Sequence, residues 1–173
     1  GGKPIIVRPQ NSSFEPRFED LKSAVTPKTR AIILNSPNNP SGEVYSAELI
    51  AQTARLCEAQ GIYLVMDDIY HQLVFDGLKT PACYGFTKTD SFIVVINGIS
   101  KLYGMTGFRI GWSVAAPELI AAMNRLQGQT TSCPSDLSQA AAAAALEGPQ
   151  DCVRDLCRTL EDSRNALAAE LGK

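Results

Sequence analysis

Lys101, Arg109, Asp67, Tyr70 and Asn39 are the side chains of this chain whose types and spacing could do chemistry. Lys101 follows Ser100 just after the apolar run Phe92 to Val95 stops at Asn97-Gly98, and Arg109 comes eight residues later inside Gly107-Phe108-Arg109-Ile110-Gly111-Trp112. A lysine amine forms a Schiff base with a carbonyl only when a usable fraction of it is neutral, which a desolvated or cationic setting provides. Arginine suits a neighbouring phosphate, because its planar fork meets two oxygens at once and stays charged at any physiological pH. Together the two cations have the parts to hold a phosphorylated aldehyde by both ends.

Asp67 closes the apolar run Ile62 to Met66, and Tyr70 follows three positions later. A carboxylate at the C-terminal end of a parallel strand faces the crevice where open α/β sheets bind ligands. Further upstream, Ala31 to Asn35 is another apolar run, entering the polar turn Ser36-Pro37-Asn38-Asn39-Pro40-Ser41-Gly42. Three strand ends therefore each deliver polar groups.

Asn-x-Pro-x-Asn-Pro-[Ser/Thr]-Gly at residues 35–42, Asp-[Asp/Glu]-x-Tyr at 67–70, and Ser-Lys at 100–101 with Gly-x-Arg-x-Gly at 107–111 resemble, in order and spacing, the class I/II aminotransferases. That family has fold type I and depends on pyridoxal 5'-phosphate. Each motif alone is weak, but three in series over about seventy residues are specific. The flanks, Leu-x-x-Ala-Val-Thr-Pro-Lys-Thr-Arg ahead of the first motif and Gln129-Thr130-Thr131-Ser132 with Pro134 after the last, are most similar to the bacterial aspartate aminotransferase branch. Asp68 stands where glutamate is usual, Ser41 for threonine, Phe108 for tryptophan and Cys133 for a frequent asparagine; none of these removes a group that touches the cofactor.

The resemblance implies a role for each matched residue. Lys101 would bind the cofactor aldehyde and, once displaced by the substrate amine, move the proton of the substrate α-carbon. Asp67 would keep the pyridine nitrogen protonated, since a nearby negative charge favours the cationic form and a pyridinium drains electrons from the reacting carbon. Tyr70 and Asn39 would hydrogen-bond the ring oxygen, with Asn39 also at the substrate carboxylate. Arg109 would clamp the phosphate, with Ser100 as a further contact. A cis peptide bond at Asn39-Pro40 is implied as well.

The same resemblance implies an α/β, three-layer architecture: a mostly parallel sheet flanked by helices, the large domain of a pyridoxal-phosphate-dependent transferase, incomplete here. Residues 1–149 would be part of that domain, and 150–173 the start of a long helix leading to a small domain not contained in the chain. The implied reaction is transamination between an amino acid, aspartate-like by branch, and a 2-oxo acid, by a ping-pong route in a homodimer. The first phosphate-binding loop, the aromatic ring that stacks on the cofactor and the arginine for the substrate carboxylate would all lie outside residues 1–173, so the isolated chain is expected to be nearly inactive. Three alternatives share the motifs: other chemistry on the same scaffold, such as a β-lyase or a synthase; a cofactor-sensing domain of a transcription regulator; and a non-catalytic remnant with only a scaffold role.

Composition fits one domain with a substantial core: 173 residues, 45% hydrophobic. A formal charge of −2 makes no electrostatic case for nucleic acid or an anionic membrane. No stretch approaches the roughly 20 apolar residues of a membrane span, and no secretory signal pattern is present. The five cysteines, Cys57, Cys83, Cys133, Cys152 and Cys157, are odd in number and show no paired CxxC spacing, so neither a disulfide framework nor a zinc site is expected. Reduced thiols in the cytoplasm are the expectation. His71, the only histidine, is read as a polar neighbour of Tyr70 without a catalytic part.

The elements that must position these residues alternate. Strands are expected at Lys3 to Arg8, Ala31 to Asn35, Ile62 to Met66, Phe92 to Ile96 and Arg109 to Val114, the last of them antiparallel. Helices are expected at Arg17 to Ala24, at Ala47 to Gln60 between a Ser46 cap and Gly61, from Pro117 to about Gly128, at Ser135 to Glu147, and from Cys152 to Leu171. A loop covers Phe75 to Ser91.

Overall fold

The computed structural model describes residues 2–10 and 13–172. The chain ends Gly1 and Lys173, which bound the two expected domains, lie outside the described residues. Helix α1 (Phe18–Ala24) leads to strand β1 (Ala31–Asn35), helix α2 (Ala47–Gln60) and strand β2 (Tyr63–Asp67). An irregular connection, residues 68–92, reaches strand β3 (Ile93–Gly98), which runs directly into the short helix α3 (Ile99–Leu102). A 3-10 turn (Thr106–Phe108), strand β4 (Gly111–Val114) and helices α4 (Pro117–Thr130), α5 (Asp136–Glu147) and α6 (Asp151–Leu171) complete the chain. The strands form one sheet in the order β1-β2-β3-β4, parallel except for the antiparallel β3-β4 pair. The result is the expected α/β class, a mixed sheet flanked by helices.

Alternation along the strands divides the sheet into two faces. Leu34, Leu64, Met66, Ile93 and Val95 turn to one face and form the core with Leu21 of α1 and Leu49, Ile50, Ala54 and Cys57 of α2. Each fully buried large aliphatic side chain contributes roughly 1.5–3 kcal/mol. Ile33, Val65 and Val94, in register, turn to the opposite face, followed two residues on by Asn35, Asp67 and Ile96. That second face is apolar toward the strand starts, where Ile33 is 71% exposed, and polar at the strand ends.

Helix α2 begins and ends where its sequence dictates. The Ser46 hydroxyl accepts the Leu49 N–H at 3.2 Å, and the Glu15 carboxylate in turn accepts both the N–H and the hydroxyl of Ser46, at 2.6 and 2.8 Å. Gly61 terminates the helix in the left-handed region at φ 63°, a conformation that suits a residue without Cβ.

Two expected strands need correction. Lys3 to Arg8 has no strand pairing among the described residues: Pro4 and Pro9 lack the N–H a ladder requires, Ile5 and Ile6 are both exposed, and Val7 packs against the core. Arg109 is not in a strand either. It caps the 3-10 turn in the left-handed region at φ 52°, and β4 starts only at Gly111. Elsewhere β1 and α2 match the expected bounds, while β2 runs one residue and β3 two residues further toward the site than expected.

Candidate functional site

Because β1, β2 and β3 are parallel, their C-terminal ends lie along one edge of the sheet, and Asn35, Asp67 and Ile96 stand in register there. Asn35 organises the first of these ends. Its Nδ2 donates to the Asp67 main-chain oxygen at 3.1 Å, while its Oδ1 accepts the Asn39 N–H at 3.0 Å, folding the polar turn back over the strand end. The turn contains the expected cis bond at Asn39-Pro40 and a second one, at Ser36-Pro37, that the sequence did not suggest. The Ser41 hydroxyl donates to Asn38 Oδ1 at 2.8 Å, and the buried Ser36 hydroxyl accepts the Tyr45 N–H at 2.8 Å. Asn39 is left exposed, and its Nδ2 reaches the Tyr70 hydroxyl in a long hydrogen bond of 3.4 Å.

The second end carries Asp67 and the turn that follows it. Asp67 points away from the helix-covered face, and its Oδ1 accepts the Ile69 N–H at 3.4 Å. Tyr70 sits in the next turn, closed by the Leu73 N–H donating to its carbonyl at 2.8 Å. Asp68, on the opposite side of the chain, is half-buried. Burial pushes its carboxyl up to about 6; the neighbouring Asp67 charge adds to the rise and His71 opposes it.

The third end is β3, whose last residue, Gly98, caps α3. Gly98 and Gly111 face each other across the β3-β4 pair, where a Cβ on Gly98 would stand 2.9 Å from the Ile110 oxygen and 3.2 Å from the Gly111 Cα. The close approach holds α3 against the start of β4. Lys101 projects from α3 with its Nζ 5.9 Å from the centre of the Tyr70 ring, within cation-π range, and it is exposed. Among the described residues its ammonium forms no ion pair.

Asn39, Tyr70 and Lys101 are thus in sequence of contact, and Asp67 is joined to them through Asn35. Ser100 adjoins Lys101 on α3 and is half-buried. Arg109 is exposed, and its Nη1 donates to the Thr106 carbonyl at 3.0 Å; among the described residues no hydrogen bond or ion pair links it to the other site residues. A non-glycine residue in the left-handed region costs roughly 1–2 kcal/mol, and such positions cluster where a side chain is aimed for use. Sequence reasoning overlooked Asn35 as the residue that positions Asn39, although it opens the first motif. It also read Asn97-Gly98 only as a strand stop, and gave His71 no partner.

The family model for aminotransferase class I and II matches residues 1–173. The chain is 42% identical over 170 residues to an aspartate aminotransferase of Rhizobium meliloti strain 1021, covering 96% of this chain and 41% of that enzyme. It is 37% identical over 173 residues to an aspartate aminotransferase of Geobacillus stearothermophilus, covering 99% of this chain and 44% of that enzyme. The solved aspartate aminotransferase of Rhizobium meliloti superimposes with a TM-score of 0.88 at 38% identity, over 95% of this chain and 42% of that one. The chain therefore spans less than half the length of the curated relatives it matches.

Proposed function

The chain belongs to the class I and II aminotransferases, and from that membership we propose that it serves transamination between an aspartate-like amino acid and a 2-oxo acid, with pyridoxal 5'-phosphate as cofactor. The observation that carries this reading is the Lys101 ammonium 5.9 Å over the Tyr70 ring, with Asn39 on the Tyr70 hydroxyl. Here a primary amine free of ion pairing among the described residues meets groups drawn from three strand ends. The donor set fits the cofactor: an accessible amine for its aldehyde, a phenol and an amide for its ring oxygen, a strand-end carboxylate for its ring nitrogen and a guanidinium for its phosphate.

When bound, the cofactor supplies an electron sink for the substrate's α-carbon. The chain's own residues do the rest. Lys101 would hold the cofactor through its aldehyde carbon and, as a free amine, would take and return the substrate's α-proton at Nζ. Asp67 holds the proton on the ring nitrogen by its negative charge. Tyr70 and Asn39 would orient the ring through its oxygen, and Asn39 would also bind the substrate carboxylate. Arg109 would hold the phosphate in its planar fork, and Ser100 would be a further contact. The Asn35 bonds to Asn39 and to the Asp67 main chain keep the first two strand ends in register while this happens.

A homodimer in the cytoplasm completes the reading. Its support is the similarity to bacterial aspartate aminotransferases and the five cysteines, all free thiols. No helix among the described residues is long and apolar enough to cross a membrane.

The test is to load the protein with pyridoxal 5'-phosphate, reduce with borohydride and map the modified peptide by mass spectrometry. The adduct is expected on Lys101 and is expected to vanish in Lys101→Ala. An adduct confined to another lysine, or none, would overturn the proposal. Amino-group transfer from aspartate to 2-oxoglutarate by the natural full-length protein, compared with other amino acids, tests the substrate preference.

A further inference from the structure

Asn97 is buried, 8% exposed, at the end of β3, and both ends of its amide are engaged. Its Oδ1 accepts the Gly98 N–H at 2.7 Å, and its Nδ2 lies 2.9 Å from His71 Nδ1. The Gly98 N–H fixes which way the amide points, because turning it would set donor against donor in a buried place. The NH2 end therefore faces the imidazole, and His71 Nδ1 must offer a lone pair. The Asp68 carbonyl, 3.2 Å from the same nitrogen, competes for a ring proton there with its second lone pair, the first accepting the His71 backbone N–H at 3.0 Å; the Asn97 NH2 group, held in place by the Gly98 N–H, decides against that proton. The proton of the neutral ring then sits on Nε2, 2.9 Å from Gln72 Nε2, which is itself a donor, so this tautomer requires the Gln72 amide to turn. Gln72 is exposed and free to turn its oxygen toward that proton.

We propose that His71 and Asn97 are positioning residues: their hydrogen bond sets the Tyr70 turn against the Lys101 turn, and it holds His71 as the Nε2–H tautomer. His71 adjoins Tyr70 in the chain, and the Gly98 that Asn97 engages is the residue from which α3 and Lys101 start. Among the described residues this is the one side-chain hydrogen bond between residues 68–74 and 97–103. The neighbouring backbone bond, the Asp68 N–H to the Ile96 carbonyl at 2.9 Å, sets the strand ends but not the turns beyond them. Asn97 and His71 thus carry the sheet's register into the two turns on which the Lys101–Tyr70 contact depends. The functional part of the proposal rests on the reading of Lys101 and Tyr70 as cofactor-binding residues.

Nitrogen-15 NMR of the imidazole reads the tautomer directly, and the spectrum of His71→Gln assigns the signal. The neutral ring is expected as Nε2–H, with and without cofactor; an Nδ1–H ring would overturn the proposal. Two variants, made in the natural full-length protein, test the consequence. His71→Phe has no acceptor for Asn97, and a misplacement of this kind is expected to lower kcat by about 10- to 100-fold, with KM changed by less than about threefold. His71→Gln offers an oxygen to the same NH2 group and is expected to recover most of the loss. A wild-type kcat in His71→Phe, or no recovery in His71→Gln, would also overturn it. If the unmodified protein forms no cofactor adduct at Lys101, the proposed function fails, and the tautomer still decides whether Asn97 and His71 are joined.

Discussion

Lys101 Nζ stands 5.9 Å from the centre of the Tyr70 ring, although the two residues lie on turns after different strands. Tyr70 is also the residue that Asn39 reaches from a third strand end. One aromatic ring therefore gathers the products of three sequence motifs, and its two contacts are separable: the π face meets the amine, the hydroxyl meets the amide.

Tyr70→Phe separates them. The ring and its cation-π contact remain, and the bond from Asn39 is lost. A hydroxyl that donates to the cofactor's ring oxygen stabilises its anionic form, so the visible absorbance of the loaded protein is expected to titrate at higher pH in the variant. Spectra recorded across a pH series check this. An unchanged or lowered midpoint would place Tyr70 off the ring oxygen.

Asp67→Asn removes the charge proposed for the ring nitrogen while sparing the scaffold, since Asn35 bonds the main-chain oxygen of Asp67 and not its side chain. In the natural full-length protein, turnover is expected to fall by about 100-fold or more, the scale seen when one preorganised electrostatic partner is removed. Thermal unfolding should be little altered. Steady-state kinetics beside a melting curve separate the two effects, and near-normal kcat would sink the assignment.

Gly98→Ala tests the close approach of β3 and β4. The added methyl would meet the Ile110 oxygen at 2.9 Å, and backbone cannot yield as a flexible side chain does. A loss of about 1–3 kcal/mol is expected from overpacking of this kind, read as a lower Tm. Because α3 starts at Gly98, yield of the Lys101 adduct should fall with it.

Asp68 links stability to pH. Its folded-state carboxyl is raised to about 6, chiefly by burial, with Asp67 adding to the rise and His71 opposing it, against about 3.9 in an unfolded chain. The folded form therefore keeps a proton that the unfolded form releases, and stability falls as pH rises from near 4 to near 6. Asp68→Asn removes that penalty. Its Tm should equal the wild type below pH 4, rise above it between pH 4 and 6, and keep a constant advantage beyond. A variant less stable than wild type at pH 7 would contradict the account.

Thiol reactivity follows burial. Burial pushes the Cys57 and Cys83 thiols up to about 12, with the Asp68 charge adding at Cys83, so neither offers thiolate near neutrality. Cys133 and Cys152 are exposed. Iodoacetamide at pH 7.5 should label Cys133 and Cys152 first, and Cys57 and Cys83 only in denaturant, as peptide mapping would show. Labelling of native Cys57 at the rate of Cys133 would refute this.

The sequence by itself determined the elements whose signals are local. Ser46 and Gly61 bound α2 to the residue, because a cap needs only its own turn, and the apolar run before Asn35 is β1 as written. The motif spacings also identified Lys101, Asp67, Tyr70, Asn39, Ser100 and Arg109 as the residues to watch: Asp67 closes β2, Asn39 and Tyr70 lie in the turns after β1 and β2, Ser100 and Lys101 lie in α3 after β3, and Arg109 lies two residues ahead of β4. Where pairing decides, local pattern failed. Lys3 to Arg8 has strand-like composition but no partner strand among the described residues, and Arg109 lies in a left-handed turn that its apolar neighbours disguise. Only the tertiary structure set Asn35 across Asp67, Tyr70 beneath Lys101, and Asn97 against His71. Those contacts join residues far apart in the chain, and their geometry comes from parallel register and from the close approach at Gly98, neither of which is a property of any one segment.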